Sequence, residues 1–154
     1  MKPLTPKEFK VTALRECPSP TEMLLCDTPE KAVEYWRLHI ETGPYFDPDS
    51  ECFAVLLLTT RRRVKGHQLV TIGTHDTILV SPLKVFRSAV IAGAPAVILM
   101  HNHPSGEPEP SEADIKVTRD LIRAGQLLRI DVLDHVIVGR PGFCSLRELG
   151  YVIH

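Results

Sequence analysis

The sequence predicts one α/β domain, and three observations support this fold class. The chain has 154 residues, enough for a domain that buries most of its apolar surface. Two continuous apolar runs, at 52–58 and 96–100, are typical of central strands covered on both faces. A predicted helix at 83–92 precedes the second run with only a short connection, as in α/β units.

The first 27 residues are predicted to be a short N-terminal extension of a domain at 28–154. Phe9, Val11 and Ala13 alternate with polar residues, which predicts a short strand. No apolar stretch is long enough for a signal peptide or a membrane span. We therefore expect a cytoplasmic protein with no membrane partner.

The four cysteines form no Cys-x-x-Cys pair, and Cys52 falls in an apolar run that predicts a core position. A disulfide or metal pair between Cys17 and Cys26 is an open alternative. Free thiols are favoured because the expected compartment is reducing.

A helix is predicted at 28–42, with Thr28 as N-cap, proline at the first helical position and Gly43-Pro44 as its end. An apolar stripe runs along it at three- and four-residue spacing. A ligand-binding patch at Trp36 and His39 is one interpretation. A core stripe with an exposed histidine is favoured. The stripe comprises Ala32, Tyr35, Trp36 and His39 or Ile40.

The run at 52–58 and a second strand at 66–73 are predicted to form a hairpin around the basic turn 59–65. This turn carries Arg61, Arg62, Arg63 and Lys65. Contact with nucleic acid is possible there in principle, but no aromatic residue interleaves the cations, so a solvated turn is favoured. The net charge of −1 also argues against a dominant polyanion-binding role.

Ser81-Pro82 repeats the cap-then-proline signal and begins the helix at 83–92, which Gly93 is predicted to end. Val85, Phe86, Ala89 and Val90 are expected on its buried side.

A further helix is predicted at 111–125, followed by a strand at 130–139, a turn at 139–142 and a short edge strand at 143–145. The tail, 146–154, is expected to be a helical turn with a frayed end. The inward positions of the helix are Ile115, Thr118, Leu121 and Ile122.

The chemistry is concentrated where the 96–100 strand ends. His101 and His103 are two residues apart, so in extended backbone they share a face. Asp114 falls in the first turn of the next helix, where the helix dipole favours a carboxylate. Two histidines and one carboxylate bind zinc and leave a fourth position for water, the pattern of a catalytic site. We therefore predict a zinc site formed by these three residues.

Less specific interpretations exist for each part. Ser111-x-x-Asp114 is also a capping-box variant, and taken alone that interpretation is favoured. His135 could orient a ligand from behind, although a satisfied core histidine is favoured. The zinc-deaminase pattern and the His-Glu-x-x-His metalloprotease motif are both absent.

The combination His101-x-His103, seven residues, Ser111-x-x-Asp114 resembles the JAMM motif of the JAB/MPN metallopeptidase superfamily. Two local sequences resemble the bacterial RadC family, and the similarity covers about 28–145. They are His-Asn-His-Pro-Ser-Gly-Glu-Pro-Glu-Pro-Ser from residue 101 and Leu-Asp-His-Val-Ile-Val-Gly from residue 133. The resemblance implies a cytidine-deaminase-like α/β fold, a mixed β-sheet flanked by helices. It implies zinc at His101, His103 and Asp114. It also implies that Ser111 hydrogen-bonds the reacting oxygen.

The resemblance also implies a catalytic glutamate at the start of the first core strand, a position that Glu51 matches. The residues alone do not distinguish Glu51 from Glu41 or Glu34. The implied function is a zinc-dependent hydrolase of peptide or isopeptide bonds that acts on a peptide or protein substrate. The sequence leaves open whether the chain forms a homodimer. A DNA-repair-associated role is the alternative. Longer relatives carry a helix-hairpin-helix region that 27 residues cannot hold, which weakens that alternative.

Overall fold

The computed structural model describes residues 4–10, 12–17, 25–72 and 80–153. Within these residues, three α-helices and five strands follow one another. They are α1 (Pro29–Tyr35), continued by a π-helical segment (Trp36–Ile40), then β1 (Cys52–Leu58), β2 (Val64–Ile72), α2 (Pro82–Ala92), β3 (Ala96–Asn102), α3 (Glu112–Leu128), β4 (Asp131–Val138) and β5 (Phe143–Ser145).

The strands form one mixed sheet in the order β2-β1-β3-β4-β5. β1 is antiparallel to both β2 and β3, and β5 is antiparallel to β4. Among the strands in the described residues, only the β3–β4 pair is parallel, and α3 supplies the long crossover that such a pair needs. The predicted α/β class and the mixed sheet flanked by helices are confirmed.

Side-chain alternation divides the core into two layers. On β1, Ala54 and Leu56 join the layer that contains α1, whereas Phe53 and Val55 join the layer that contains α2 and α3. All seven residues of β1 are buried, which explains its continuous apolar run. The odd-numbered residues of β3 face α3, and this places His101 on that side.

The predicted helix starts are confirmed: the side chains of Thr28 and Ser81 accept hydrogen bonds from the third backbone N–H of α1 and α2. Gly93 ends α2 with φ 63°, as expected. However, α3 continues past Gly125 to Leu128. Gly125 is needed for close packing instead, because a Cβ there would lie 2.5 Å from the Ile130 carbonyl oxygen.

Two predictions of side-chain exposure are wrong, one for a residue expected at the surface and one for a residue expected in the core. His39 is only 6% exposed, because the π-helical segment packs its ring against that of Tyr35, with the ring centroids 4.7 Å apart and the planes tilted by 54°. Val90 is 59% exposed, because about 100° of helical rotation beyond Ala89 carries it off the buried face of α2.

The chain ends also differ from expectation. Phe9 and its described neighbours up to Ala13 are irregular and exposed, so they form no strand; Val11 lies outside the described residues. The tail was expected to be frayed, but it packs on the domain as far as Val152, because Leu146 and Val152 are buried in the α3-side layer.

The hairpin turn is tighter than predicted. β2 begins at Val64 because the Thr59 hydroxyl accepts hydrogen bonds from the N–H groups of Arg61 and Arg63 and closes the turn early. Gly73, its predicted end, lies outside the described residues. The four cysteines all lie in the described residues and form no disulfide, and Cys52 is buried as predicted. In the described part of the chain, no helix has both the length and the apolarity to cross a membrane.

Candidate metal centre

His101 is the sixth residue of β3 and is fully buried, on the side of the sheet that faces α3. The Phe53 ring stacks on it at a centroid distance of 5.9 Å and an interplanar angle of 10°. Phe53 is its neighbour because β1 and β3 pair in that register. An apolar wall on one side therefore fixes the plane of the imidazole.

His103 lies one residue beyond β3, on a loop that is docked against the end of β4. Its backbone N–H donates to the Val138 carbonyl at 3.1 Å. Its ring Nδ1 lies 2.8 Å from the Glu107 carbonyl oxygen, which can only accept, so Nδ1 carries a proton. Nε2 is consequently the ring atom directed inward, 3.1 Å from Nε2 of His101.

The loop closes tightly because two glycines meet there. Gly106 adopts φ 90°, a conformation that side chains rarely adopt, and its carbonyl accepts the Arg140 N–H at 2.8 Å. A Cβ on Gly139 would overlap that same Gly106 carbonyl oxygen. The position of His103 therefore depends on a backbone contact that only glycine permits.

Asp114 is the third residue of α3 and is 1% exposed. Its Oδ2 accepts the Ser111 N–H at 2.9 Å, and its own N–H donates to Ser111 Oγ at 3.1 Å, which completes a capping box. The same carboxylate lies 3.3 Å from His101 Nε2 through Oδ1 and 3.2 Å from His103 Nε2 through Oδ2. Asp114 can therefore complete the capping box of α3 and contact both histidines at the same time.

Glu51 immediately precedes β1, and its Oε1 lies 3.4 Å from His101 Nε2. Asn102 fixes the backbone on both sides of this glutamate. Its Nδ2 donates to the Ser50 carbonyl at 3.0 Å, and its Oδ1 accepts the Cys52 N–H at 2.8 Å. Sequence reasoning missed Asn102, because its partners are about fifty residues away and become neighbours only through β1–β3 pairing.

The pKa values in this cluster move in opposite directions. The hydrogen bond to Asp114 raises the pKa of His103 above its ordinary value. Burial by itself would raise the pKa of Asp114, but the close contacts with the His101 and His103 rings outweigh it and hold this pKa well below its usual range. Asp114 is therefore an anion facing two imidazoles.

His135, on β4, is 1% exposed and lies directly behind His101, with its Nε2 2.7 Å from His101 Nδ1. Burial lowers its pKa well below the ordinary value, so the ring is neutral. The same residue is thus buried in the core and in contact with a predicted ligand.

One donor atom each from Glu51, His101, His103 and Asp114 lies within 4.8 Å of the others. Two imidazole nitrogens with carboxylate oxygens suit a zinc ion in a catalytic site. Both histidines direct Nε2 toward the space between the four side chains, as binding of one metal ion requires. The four residues come from three separate parts of the chain.

A cleft of about 300 Å³ opens beside His103 at the ends of β3 and β4. Its lining combines apolar side chains with polar and charged ones. The lining comprises Glu41, Phe46, Pro48, Asn102, His103, Val138, Gly139 and Arg140.

The mixed sheet, its flanking helices and the cluster at the end of β3 together define a domain of the JAB/MPN type. The chain matches the profile of the RadC-like JAB domain over residues 26–151. Since that match covers most of its length, the chain belongs to the RadC family.

The relatives carry the name UPF0758 protein. One from Desulforamulus reducens is 44% identical over 106 residues, which is 69% of this chain and 47% of the relative. One from Thermosynechococcus vestitus is 47% identical over 100 residues, 65% of this chain and 40% of the relative. One from Methanosarcina barkeri is 43% identical over 102 residues, 66% of this chain and 44% of the relative. The chain thus spans less than half the length of these relatives.

Proposed function

We propose that this chain is a zinc-dependent hydrolase of peptide or isopeptide bonds. The observation that carries the proposal is the convergence of Glu51, His101, His103 and Asp114, whose donor atoms lie within 4.8 Å of one another. His101, His103 and Asp114 would hold the ion, which leaves the Glu51 carboxylate for chemistry. When bound, zinc supplies a positive charge that acidifies water and stabilises negative charge on a carbonyl oxygen.

Glu51 is the proton carrier in this proposal. Its side chain is 12% exposed, and its Oε1 lies 3.4 Å from the Nε2 of His101. A carboxylate in that position can take a proton from a water molecule that enters the cluster and later give it to the leaving amine. Asn102 holds the backbone on both sides, so the point at which the Glu51 side chain leaves the main chain is fixed before substrate arrives.

Ser111 has a second use beyond capping α3. Its Oγ accepts the Asp114 N–H at 3.1 Å, which occupies a lone pair and leaves the hydroxyl hydrogen available. That hydrogen can be donated to the substrate oxygen on which negative charge develops. Capping and oxyanion stabilisation therefore need different parts of one hydroxyl group.

The cleft beside His103 supports a polypeptide substrate. Its volume of about 300 Å³ can hold a side chain next to the scissile bond, with Phe46 and Val138 on its walls. Arg140 and Glu41 add one charge of each sign, so the cleft selects less by net charge than by shape.

Metal analysis is the first test. We expect about one zinc per chain in the purified protein, lost in His101→Ala. The second test is cleavage of a proteome-derived peptide library, with new amino termini read by mass spectrometry. We expect Glu51→Gln to keep zinc and lose cleavage. Glu34→Gln, which changes an exposed glutamate of α1, is the matched control and should behave as wild type.

Two results would contradict the proposal. A wild-type protein that binds no zinc would remove the metal site. Cleavage by Glu51→Gln at the wild-type rate would remove Glu51 as the proton carrier.

Nucleic-acid binding is the second candidate function, and it rests on Arg61, Arg62 and Arg63, which are exposed together at the hairpin turn. Phosphate contacts would give an affinity that falls steeply with salt. A gel shift at low salt that disappears when the three arginines are replaced by glutamine would support it. The absence of any shift at low salt would remove it.

A further inference from the structure

A second hydrogen-bonded system lies behind the candidate metal centre and ends on one of its histidines. His101 contacts His135 through Nδ1, at 2.7 Å, on the side of the ring away from Glu51 and Asp114. His135 in turn contacts Thr118 of α3, with Nδ1 and Oγ1 2.6 Å apart. These contacts lie in the buried interior, out of reach of bulk water.

The direction of the hydrogen bonds follows from the last link. The Thr118 hydroxyl lies 2.7 Å from the Asp114 backbone carbonyl, which can only accept, so Thr118 donates its single hydrogen there. The hydroxyl oxygen can then only accept from His135. The proton of the neutral His135 ring is therefore on Nδ1.

The next link is fixed by the same reasoning. With its proton on Nδ1, His135 presents a lone pair at Nε2 and accepts a hydrogen bond from His101. His101 must therefore carry a proton on Nδ1. Its Nε2 is left as the ring atom that faces the Asp114 carboxylate at 3.3 Å.

We propose that His135 and Thr118 are positioning residues that set the tautomer of His101 and so keep its Nε2 available to a divalent metal ion. The contacts close a ring: the Asp114 carbonyl accepts from Thr118, and the Asp114 carboxylate faces the far end of His101. One residue of α3 is thus held at both ends of the series. This proposal rests on the metal site proposed above.

A core histidine with no role at the metal centre could adopt either tautomer. The hydrogen bonds that run from Thr118 through His135 to His101 instead require one tautomer at each ring. Loss of the Thr118 hydroxyl would let His135 move its proton to Nε2 and donate to His101. The His101 proton would then lie on Nε2, where it blocks a metal.

The experiment compares Thr118→Val, which keeps the side-chain shape and removes the hydroxyl, with Thr118→Ser, which keeps the hydroxyl. Long-range ¹H–¹⁵N spectra of the metal-free protein at about pH 8 report which nitrogen of each ring is protonated. Zinc affinity is then measured by competition with a chromophoric chelator.

We expect Nδ1–H signals at His101 and His135 in wild type and Thr118→Ser, and a shift to Nε2–H in Thr118→Val. We expect zinc affinity to fall about 10- to 100-fold in Thr118→Val, as for other residues that orient metal ligands, and less than about threefold in Thr118→Ser. Unchanged tautomers with wild-type affinity in Thr118→Val would overturn the proposal.

If Thr118→Val does not fold, His135→Gln and His135→Leu replace it. The Gln amide can accept from His101 and donate to Thr118, whereas Leu can do neither, so only His135→Gln should keep the His101 tautomer. The same His101 tautomer in both variants would overturn the proposal. Failure of the wild type to bind zinc would instead contradict the metal site, because the tautomer signals are read without metal.

Discussion

Asp114→Asn separates the two uses of Asp114, as a helix cap and as a metal ligand. The amide oxygen of asparagine can still accept the Ser111 N–H that Asp114 Oδ2 accepts at 2.9 Å. The negative charge that faces His101 and His103 is lost. The substitution should therefore leave α3 in place and remove the metal site.

The expected stability change of the metal-free protein is small. Removing a carboxylate from a helix N-terminus costs about 0.3–1 kcal/mol, because it no longer compensates the helix dipole. Asp114→Ala also loses the side-chain hydrogen bond to the Ser111 N–H, which adds about 1 kcal/mol, while the Ser111 hydroxyl still caps α3. With zinc at about 100 times its Kd, wild type gains about 2.7 kcal/mol. At about 2–4 °C per kcal/mol for a domain of this size, this gain raises Tm by roughly 5–10 °C.

Differential scanning fluorimetry with and without zinc measures this difference. We expect a zinc-dependent rise in Tm for wild type and none for Asp114→Asn, with metal-free Tm values that differ by only a few degrees. Asp114→Ala should have the lowest metal-free Tm of the three. A full zinc-dependent rise in Asp114→Asn would show that Asp114 is not a metal ligand and serves α3 alone.

Three further predictions follow from other contacts of the site. Asn102→Ala leaves the buried Cys52 N–H without its partner, which should cost about 1–3 kcal/mol in urea unfolding, and it frees the part-buried Ser50 carbonyl to bond to water, so kcat should fall while zinc still binds. Gly139→Ala places a Cβ against the Gly106 carbonyl oxygen, so we expect about 1–3 kcal/mol of destabilisation and weaker zinc binding; wild-type affinity would show that the His103 loop tolerates the shift. The pKa of His103 is raised in the folded protein, so its stabilising contribution is present below about pH 6.5 and is lost as pH rises through the folded value. Chelator-treated protein should lose stability over that interval while zinc affinity increases, and calorimetry in two buffers should detect proton release on binding; a pH-independent affinity would contradict this.

The elements with strong local signals could be predicted from the sequence. Thr28 and Ser81 each precede a proline, and the caps and helix starts lie where that pattern places them. The run Cys52–Leu58 is a central strand with every residue buried. These predictions succeed because the interactions involved span only a few residues.

Boundaries that depend on packing could not be predicted. Gly125 resembles a helix end, yet α3 runs past it; glycine stands there because a Cβ would lie 2.5 Å from the Ile130 carbonyl oxygen. His39 resembles a surface residue, yet the π-helical segment turns it inward against Tyr35. In both cases the deciding contact is with another part of the backbone or core.

Local sequence patterns were enough to predict that His101, His103 and Asp114 lie together, because strand alternation and a helix start place all three within one strand–loop–helix unit. Only the tertiary structure brought Glu51 beside them, through the register in which β1 pairs with β3. The same pairing gave Asn102 its partners, and parallel pairing of β3 with β4 set His135 behind His101. Local periodicity determines which face a side chain occupies, whereas pairing between strands distant in the chain decides which side chains meet.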